Sequence, residues 1–234
     1  MARLASTVRG MVRRELIEAD RTLAEEHPAF GPIIDAAGPC ELRRGRPRRT
    51  HFAELVRAVC YQQLAGAAAR TIHGRVEALF GGVPEPEAVV AAPIDALRGA
   101  GLSANKAASI RDLADKVLDG TVELDRVARR SDDQIVQELV TVRGIGRWTA
   151  EMFLMFQLGR LDVWPVDDLG VRKGYGVIHR LAVAPTTKEL QPLGEALRPY
   201  RSVAAWYCWR AVDPAVKTPD SRAETMTSTK TKKT

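Results

Sequence analysis

A chain of 234 residues with 45% hydrophobic and 27% charged side chains is long enough to bury one large core or two small ones, which excludes a largely disordered protein. No stretch approaches the roughly 20 uninterrupted apolar residues that span a bilayer. The N-terminal residues carry charges where a signal peptide needs its apolar run, so a cytoplasmic protein without a membrane partner is expected. A formal net charge of +6 hints at a polyanionic partner, but five basic residues against two acidic ones after Val216 hold half of the excess, so composition leaves function open.

Residues 1 to 26 space apolar side chains (Leu4, Val8, Met11, Val12, Leu16, Leu23) at helical intervals with Arg and Glu between them, predicting one amphipathic helix. ELRRGRPRRT, from Glu41 to Thr50, sets five arginines around a Gly and a Pro and reads as a basic connector. Two helical runs follow, HFAELVRAVCYQQL and AAARTIHGRVEALF, parted by Ala65-Gly66 and closed by Gly81-Gly82. Pro84, Pro86 and Pro93 punctuate short helices; GLSANKAASIRDLADKVLDG then begins from Ser103 as an N-cap and stops at Gly120. SDDQIVQELV begins from Ser131 in the same way, and further helices are expected over 148–158, 168–178, 187–197 and 199–212. No period-2 alternation is long enough for a buried strand and no strand–helix repeat occurs, so the expected fold class is all-α. The expected division is 1–50 as N-terminal helices and connector, 51–216 as the core, and 217–234 as a disordered tail of Thr, Lys and Ser. Cys40, Cys60 and Cys208 lack CxxC spacing and read as small buried apolar residues rather than as a disulfide framework, zinc site or iron–sulfur site.

The most informative stretch is IVQELVTVRGIGRWTAEMFLMFQLGRLDVW, in which one helix ends at Val140, Gly144-Ile145-Gly146 turns tightly, and a second helix begins. Two glycines can take backbone angles closed to other residues while Ile145 points into the seam of the paired helices. The N–H groups at Gly146-Arg147 suit a phosphate oxygen, and Arg143 and Arg147 add positive charge on either side. A GxG between helices is also simply a close turn. The continuation DVWPVDDLGVRKG adds two neighbouring carboxylates, Asp167 and Asp168, one of which is expected to cap the next helix. A carboxylate close to a phosphate-binding turn is repelled by phosphate and needs a reason to be there.

GIGRWTAEMFLMF followed by PVDDLGVRKG resembles the helix-hairpin-helix base-excision DNA glycosylases, nearest to the DNA-3-methyladenine glycosylase II group. LVRAVCYQQLAGAAARTIHGRV, GLSANKAASIRDLA and PYRSVAAWYCWR extend the resemblance in the family's order, over about residues 52–210. It implies two helical subdomains with a cleft between them, in a compact form without the N-terminal β domain known in the family. It implies Asp168 as the catalytic carboxylate, with Asp167 as a neighbour that caps or orients, and Leu64 with Gln63 as the wedge that fills the gap left by an extruded nucleotide. Trp148 and Trp209 match pocket aromatics, and Met152 stands where the group has a stacking tyrosine. Trp206 and Trp164 read as core. Trp148 also stands where lyase-competent relatives carry a lysine, so base removal without strand cleavage is implied. Val142-Arg143 departs from the family's Leu-Pro before Gly-Ile-Gly and makes the turn less rigid. The carbonyls of Val140, Val142 and Gly144 are implied ligands of a structural Na+ or K+; no cofactor is expected for catalysis.

The activity implied is excision of alkylated bases of the 3-methyladenine and 7-methylguanine type. Such a base already carries positive charge, so the enzyme's task is to stabilise the sugar cation left behind. The expected partner is double-stranded DNA with alkylated bases, bound by a monomer in the cytoplasm, or with the nucleoid in a bacterium. Arg172, Lys173 and the arginines from Arg43 to Arg49 are expected to join the hairpin in binding phosphate. Three alternatives stay open: a glycosylase for deaminated or oxidised bases, a non-catalytic helix-hairpin-helix DNA-binding protein, and a helical interaction protein whose hairpin is only a turn.

Overall fold

A computed structural model describes residues 2–42 and 49–216, with side chains from residue 13 onward. The connector arginines Arg43, Arg44, Arg46 and Arg48 and the tail 217–234 lie outside the described residues. Twelve α-helices follow in order among the described residues: α1 (Ala2–Glu26), α2 (Gly31–Ala37), α3 (His51–Tyr61), α4 (Gly66–Leu79), α5 (Pro86–Ala91), α6 (Ile94–Gly99), α7 (Ala104–Leu118), α8 (Asp132–Leu139), α9 (Arg147–Phe153), α10 (Leu169–Ile178), α11 (Thr187–Leu193) and α12 (Arg201–Ala211). The all-α expectation holds: there is no strand among the described residues.

The helix starts follow from capping chemistry. Ser103 Oγ accepts from Lys106 N–H to open α7; Ser131 and Gln134 form a capping box on α8, and Thr186 and Glu189 form one on α11. α9 runs on into one wide π-type turn, Leu154–Leu158, which ends at Gly159 in the left-handed conformation.

The chain divides into two compact units. One gathers Met1–Arg44 with Arg160–Thr234, the other is Gly45–Gly159. This differs from a boundary near residue 50 followed by one core to residue 216, for a tertiary reason. α1 and α2 pack on α12, and a half-buried carboxylate joins them: Asp20 accepts from Tyr207 Oη–H at 2.8 Å and from Cys40 N–H at 3.0 Å. Burial pushes the Asp20 carboxyl above its ordinary range.

In this unit α10 and α12 approach closely enough that a Cβ at Gly174 would overlap the Cys208 carbonyl. Trp164 is buried and donates its indole N–H to Leu190 O at 3.0 Å, as expected for a core residue, whereas Trp206 is only half-buried. In the other unit the core is Leu55, Val59, Leu97, Ile110, Leu113, Ile135 and Leu139, from α3, α6, α7 and α8. Cys40, Cys60 and Cys208 are all buried and free, as read from the sequence. No helix among the described residues is long and apolar enough to cross a membrane.

Candidate functional site

The segment from Trp164 to Asp168 turns back on itself, with Asp168 N–H bonded to Pro165 O at 3.0 Å, and delivers Asp168 to the N-cap of α10. Its Oδ1 accepts from Val171 N–H at 2.9 Å and from Trp209 Nε1–H at 2.9 Å. Two donors on one oxygen fix the plane of the carboxylate, and the N-terminus of α10 faces its negative charge. Gly170 makes this arrangement possible: a Cβ there would lie 2.8 Å from Trp209 Cδ1. The capping role left open between two aspartates therefore falls on Asp168, which is half-buried, while Asp167 is exposed. Beneath them the Cys208 thiol is pushed far up, by burial first and by the charge of Asp168 second. Arg172, one turn on, is half-buried, and Lys173 is exposed.

The turn between α8 and α9 has the hairpin form read from the sequence, but its two glycines serve different ends. Gly144 has φ +75°, and a Cβ there would overlap Ser109 Oγ, so both conformation and space require glycine. Gly146 is extended (φ −92°, ψ 173°) and a Cβ there would meet nothing. The expectation that both glycines supply special backbone angles is corrected here: Gly146 instead leaves a bare, exposed N-cap without a side-chain cap. Ile145 is buried, as expected. The Ile145 N–H is used within the turn by Val142 O at 3.0 Å, and Arg143 N–H donates to Asp112 Oδ2 at 2.7 Å. The Arg143 guanidinium reaches the neutral Asn105 Oδ1 at 3.1 Å, whereas Arg147 Nε pairs with the buried Glu151 at 2.9 Å.

The Gln-Leu loop follows α3. Leu64 is 39% exposed, so it is not a core leucine, and Gln63 is also exposed, with φ +55°. Gln62 donates its amide to Gly144 O at 3.0 Å and to Thr149 Oγ1 at 3.4 Å, joining this loop to the hairpin. Trp148, 43% exposed, sits on the first turn of α9, and Met152 is half-buried one turn later.

The sequence pattern of the HhH-GPD superfamily base excision DNA repair proteins matches residues 56–199. The chain belongs to this superfamily. It is similar to DNA-3-methyladenine glycosylase 1 of Schizosaccharomyces pombe, 35% identical over 205 residues, which cover 84% of this chain and 90% of that protein. It is also similar to DNA-3-methyladenine glycosylase 2 of Escherichia coli, 27% identical over 168 residues that cover 68% of this chain and 56% of that protein. Among solved structures, S. pombe 3-methyladenine DNA glycosylase in complex with abasic-DNA matches with TM-score 0.74 and 33% identity, over 82% of this chain and 95% of that one. A DNA-3-methyladenine glycosidase from Bacillus halodurans matches with TM-score 0.76 and 34% identity, over 84% and 90%.

In this HhH-GPD chain the structure brings together residues that lie far apart in the sequence. Asp168 and Trp209 are in direct contact, and so are the Gln-Leu loop and the hairpin. Sequence reasoning missed the side chains of α7 that hold the loops. Lys106 Nζ donates to Cys60 O at 2.9 Å and Gln62 O at 2.7 Å, and Lys116 Nζ donates to Thr141 O at 2.6 Å and Asp112 Oδ2 at 2.7 Å. The available signal was a lysine three residues after an N-cap serine, where an acidic residue is the usual choice.

Proposed function

We propose that this chain is a monofunctional DNA N-glycosylase that removes alkylated bases of the 3-methyladenine and 7-methylguanine type from double-stranded DNA, acting as a monomer in the cytoplasm. The observation that carries the reading is the half-buried Asp168 carboxylate, oriented by the Val171 N–H and the Trp209 indole, in a chain whose relatives named above are 3-methyladenine glycosylases.

An alkylated purine is a good leaving group because it departs neutral. The carboxylate beside the anomeric carbon stabilises the oxocarbenium character of the sugar and orients water for attack, an electrostatic role that acts on the transition state more than on the substrate. Trp209 of one unit and Trp148 of the other are each proposed as an aromatic surface for a cationic base, at about 0.5 to 2 kcal/mol per favourable contact. Met152 adds a polarisable flank. Trp148 supplies no amine for a Schiff base at the position where the lyase-competent relatives have one, so the product is an abasic site in an uncut strand.

The N-cap at Gly146 supports a close approach of the DNA backbone, and Arg143 and Arg147 add charge to it. Leu64 and Gln63 are proposed to fill the gap left by the extruded nucleotide. The carbonyls of Val140, Val142 and Gly144 suit a hard monovalent cation in kind. Two of them already accept a hydrogen bond, Val142 O from Ile145 N–H and Gly144 O from Gln62, so a Na+ or K+ would share these oxygens.

The test is release of base from duplex DNA containing 7-methylguanine or 3-methyladenine, with Asp168→Asn alongside. Asparagine caps a helix as well as aspartate does and keeps an acceptor for Trp209, so only the charge changes. The expected result is free base from the parent, no strand scission, and a rate about 10²- to 10³-fold lower for the variant at unchanged Tm. Binding without release from the parent would instead support a non-catalytic DNA-binding protein.

A further inference from the structure

The Gln62–Leu64 loop is held in a conformation it would not keep alone. Gln63 stands at φ +55°, a region that costs an L-residue about 1 kcal/mol or more. Its own turn is closed by long backbone bonds, Gln62 N–H to Val59 O and Leu64 N–H to Tyr61 O, each at 3.4 Å. The close contacts come from outside the loop: the Lys106 ammonium on Cys60 O at 2.9 Å and Gln62 O at 2.7 Å, then the Gln62 amide on Gly144 O at 3.0 Å.

Lys106 sits at a place a helix does not favour for it. It is the third residue of α7, next to the positive end of the helix dipole, where its backbone N–H is already capped by Ser103. Its charge is instead spent at the C-terminal end of α3, where orphan carbonyls and the negative dipole end attract a cation. Both carbonyls flank the residue that enters the strained turn.

We propose that Lys106 is the positioning residue for the Leu64 wedge: by clamping the end of α3 it presents Gln63 and Leu64 outward in fixed register with the Gly144-Ile145-Gly146 turn. This rests on the proposed action on duplex DNA and explains how a short exposed loop keeps a shape able to enter a base stack. Lys106 touches no reacting atom and acts only through the loop.

The test measures insertion directly, so that it does not depend on base release. The probe is a duplex holding a tetrahydrofuran abasic-site analogue next to 2-aminopurine, whose fluorescence rises when it is unstacked. The parent, Leu64→Ala, Lys106→Met and Lys106→Arg are compared, with Tm measured for each. The parent should bind and raise the fluorescence; Leu64→Ala should lose the rise. Lys106→Met should bind within about threefold of the parent, through the hairpin, yet lose more than half of the rise, and Lys106→Arg should restore it. An undiminished rise with Lys106→Met, a loss of binding equal to the loss of fluorescence, or no rise with the parent would overturn the proposal. Should the parent unstack the probe but release no alkylated base, the glycosylase reading fails and the clamp stands.

Discussion

The two units hold their functional groups by opposite means. In the unit that carries Asp168, the two donors that fix the carboxylate are themselves held in place by packing: α10 and α12 touch backbone to backbone at Gly174 and Cys208, and Gly170 lets the Trp209 ring lie against the cap. In the unit that carries the hairpin, the loops are fixed by polar side chains of one helix. Lys106, Asp112 and Lys116 of α7 bond backbone groups of residues 60, 62, 143 and 141. A group held by packing tolerates almost no added volume, whereas a loop held by side-chain hydrogen bonds can lose one anchor and keep its fold. The chemistry proposed for Asp168 needs the first kind of rigidity, while a surface proposed to meet DNA can use the second.

The strongest way to break the contrast is Gly174→Ala. The added methyl group overlaps the backbone of Cys208, which cannot rotate away, so the loss of stability should be on the order of 3 kcal/mol, at the upper end for overpacking. A urea melt within about 0.5 kcal/mol of the parent would show that the two helices separate easily. A smaller effect sharpens the comparison inside the hairpin. Gly144→Ala forces a side chain into the left-handed region and onto Ser109, at a cost of about 1 to 2 kcal/mol, while Gly146→Ala should leave the melt nearly unchanged and weaken binding to DNA instead. Equal behaviour of the two variants in both assays would remove the distinction drawn between them.

The smallest expected effect is a pH dependence. Burial holds His179 below its ordinary value of about 6.5, with His27 adding to the shift, so the unfolded chain takes up a proton before the folded chain does. Stability from this group is full above the ordinary value and is lost as pH falls below it toward the folded one. His51 and His73 in the other unit shift the same way, burial again being the main cause. Thermal melts from pH 7 to pH 5 should therefore decline, and His179→Phe, which keeps the stack on Tyr175 and the edge contact with Phe30, should make the decline shallower.

Much of this was legible in the sequence because caps and turns are local. Ser103, Ser131 and the Asp167-Asp168 pair announce helix starts through side chains that satisfy their own backbone, and all three helices begin there. What was not legible depends on partners far away in the chain. Gly144 and Gly146 look alike as letters and differ in backbone conformation and in that Ser109 lies against one of them. The Arg143 N–H is engaged by Asp112, 31 residues earlier in the chain. The return of α1 and α2 onto α12 rests on Asp20, Cys40 and Tyr207, residues that carry no local signal of belonging together.

The burial of the three thiols has a meaning for a protein proposed to repair alkylated DNA. The nucleophile in such reactions is the thiolate, and burial pushes Cys40 up to about 12 and Cys60 up to about 11, with Cys208 shifted in the same direction. At neutral pH all three stay protonated and out of reach of small electrophiles. None of the three cysteines thus offers a thiolate to the reagents whose damage the chain is proposed to undo.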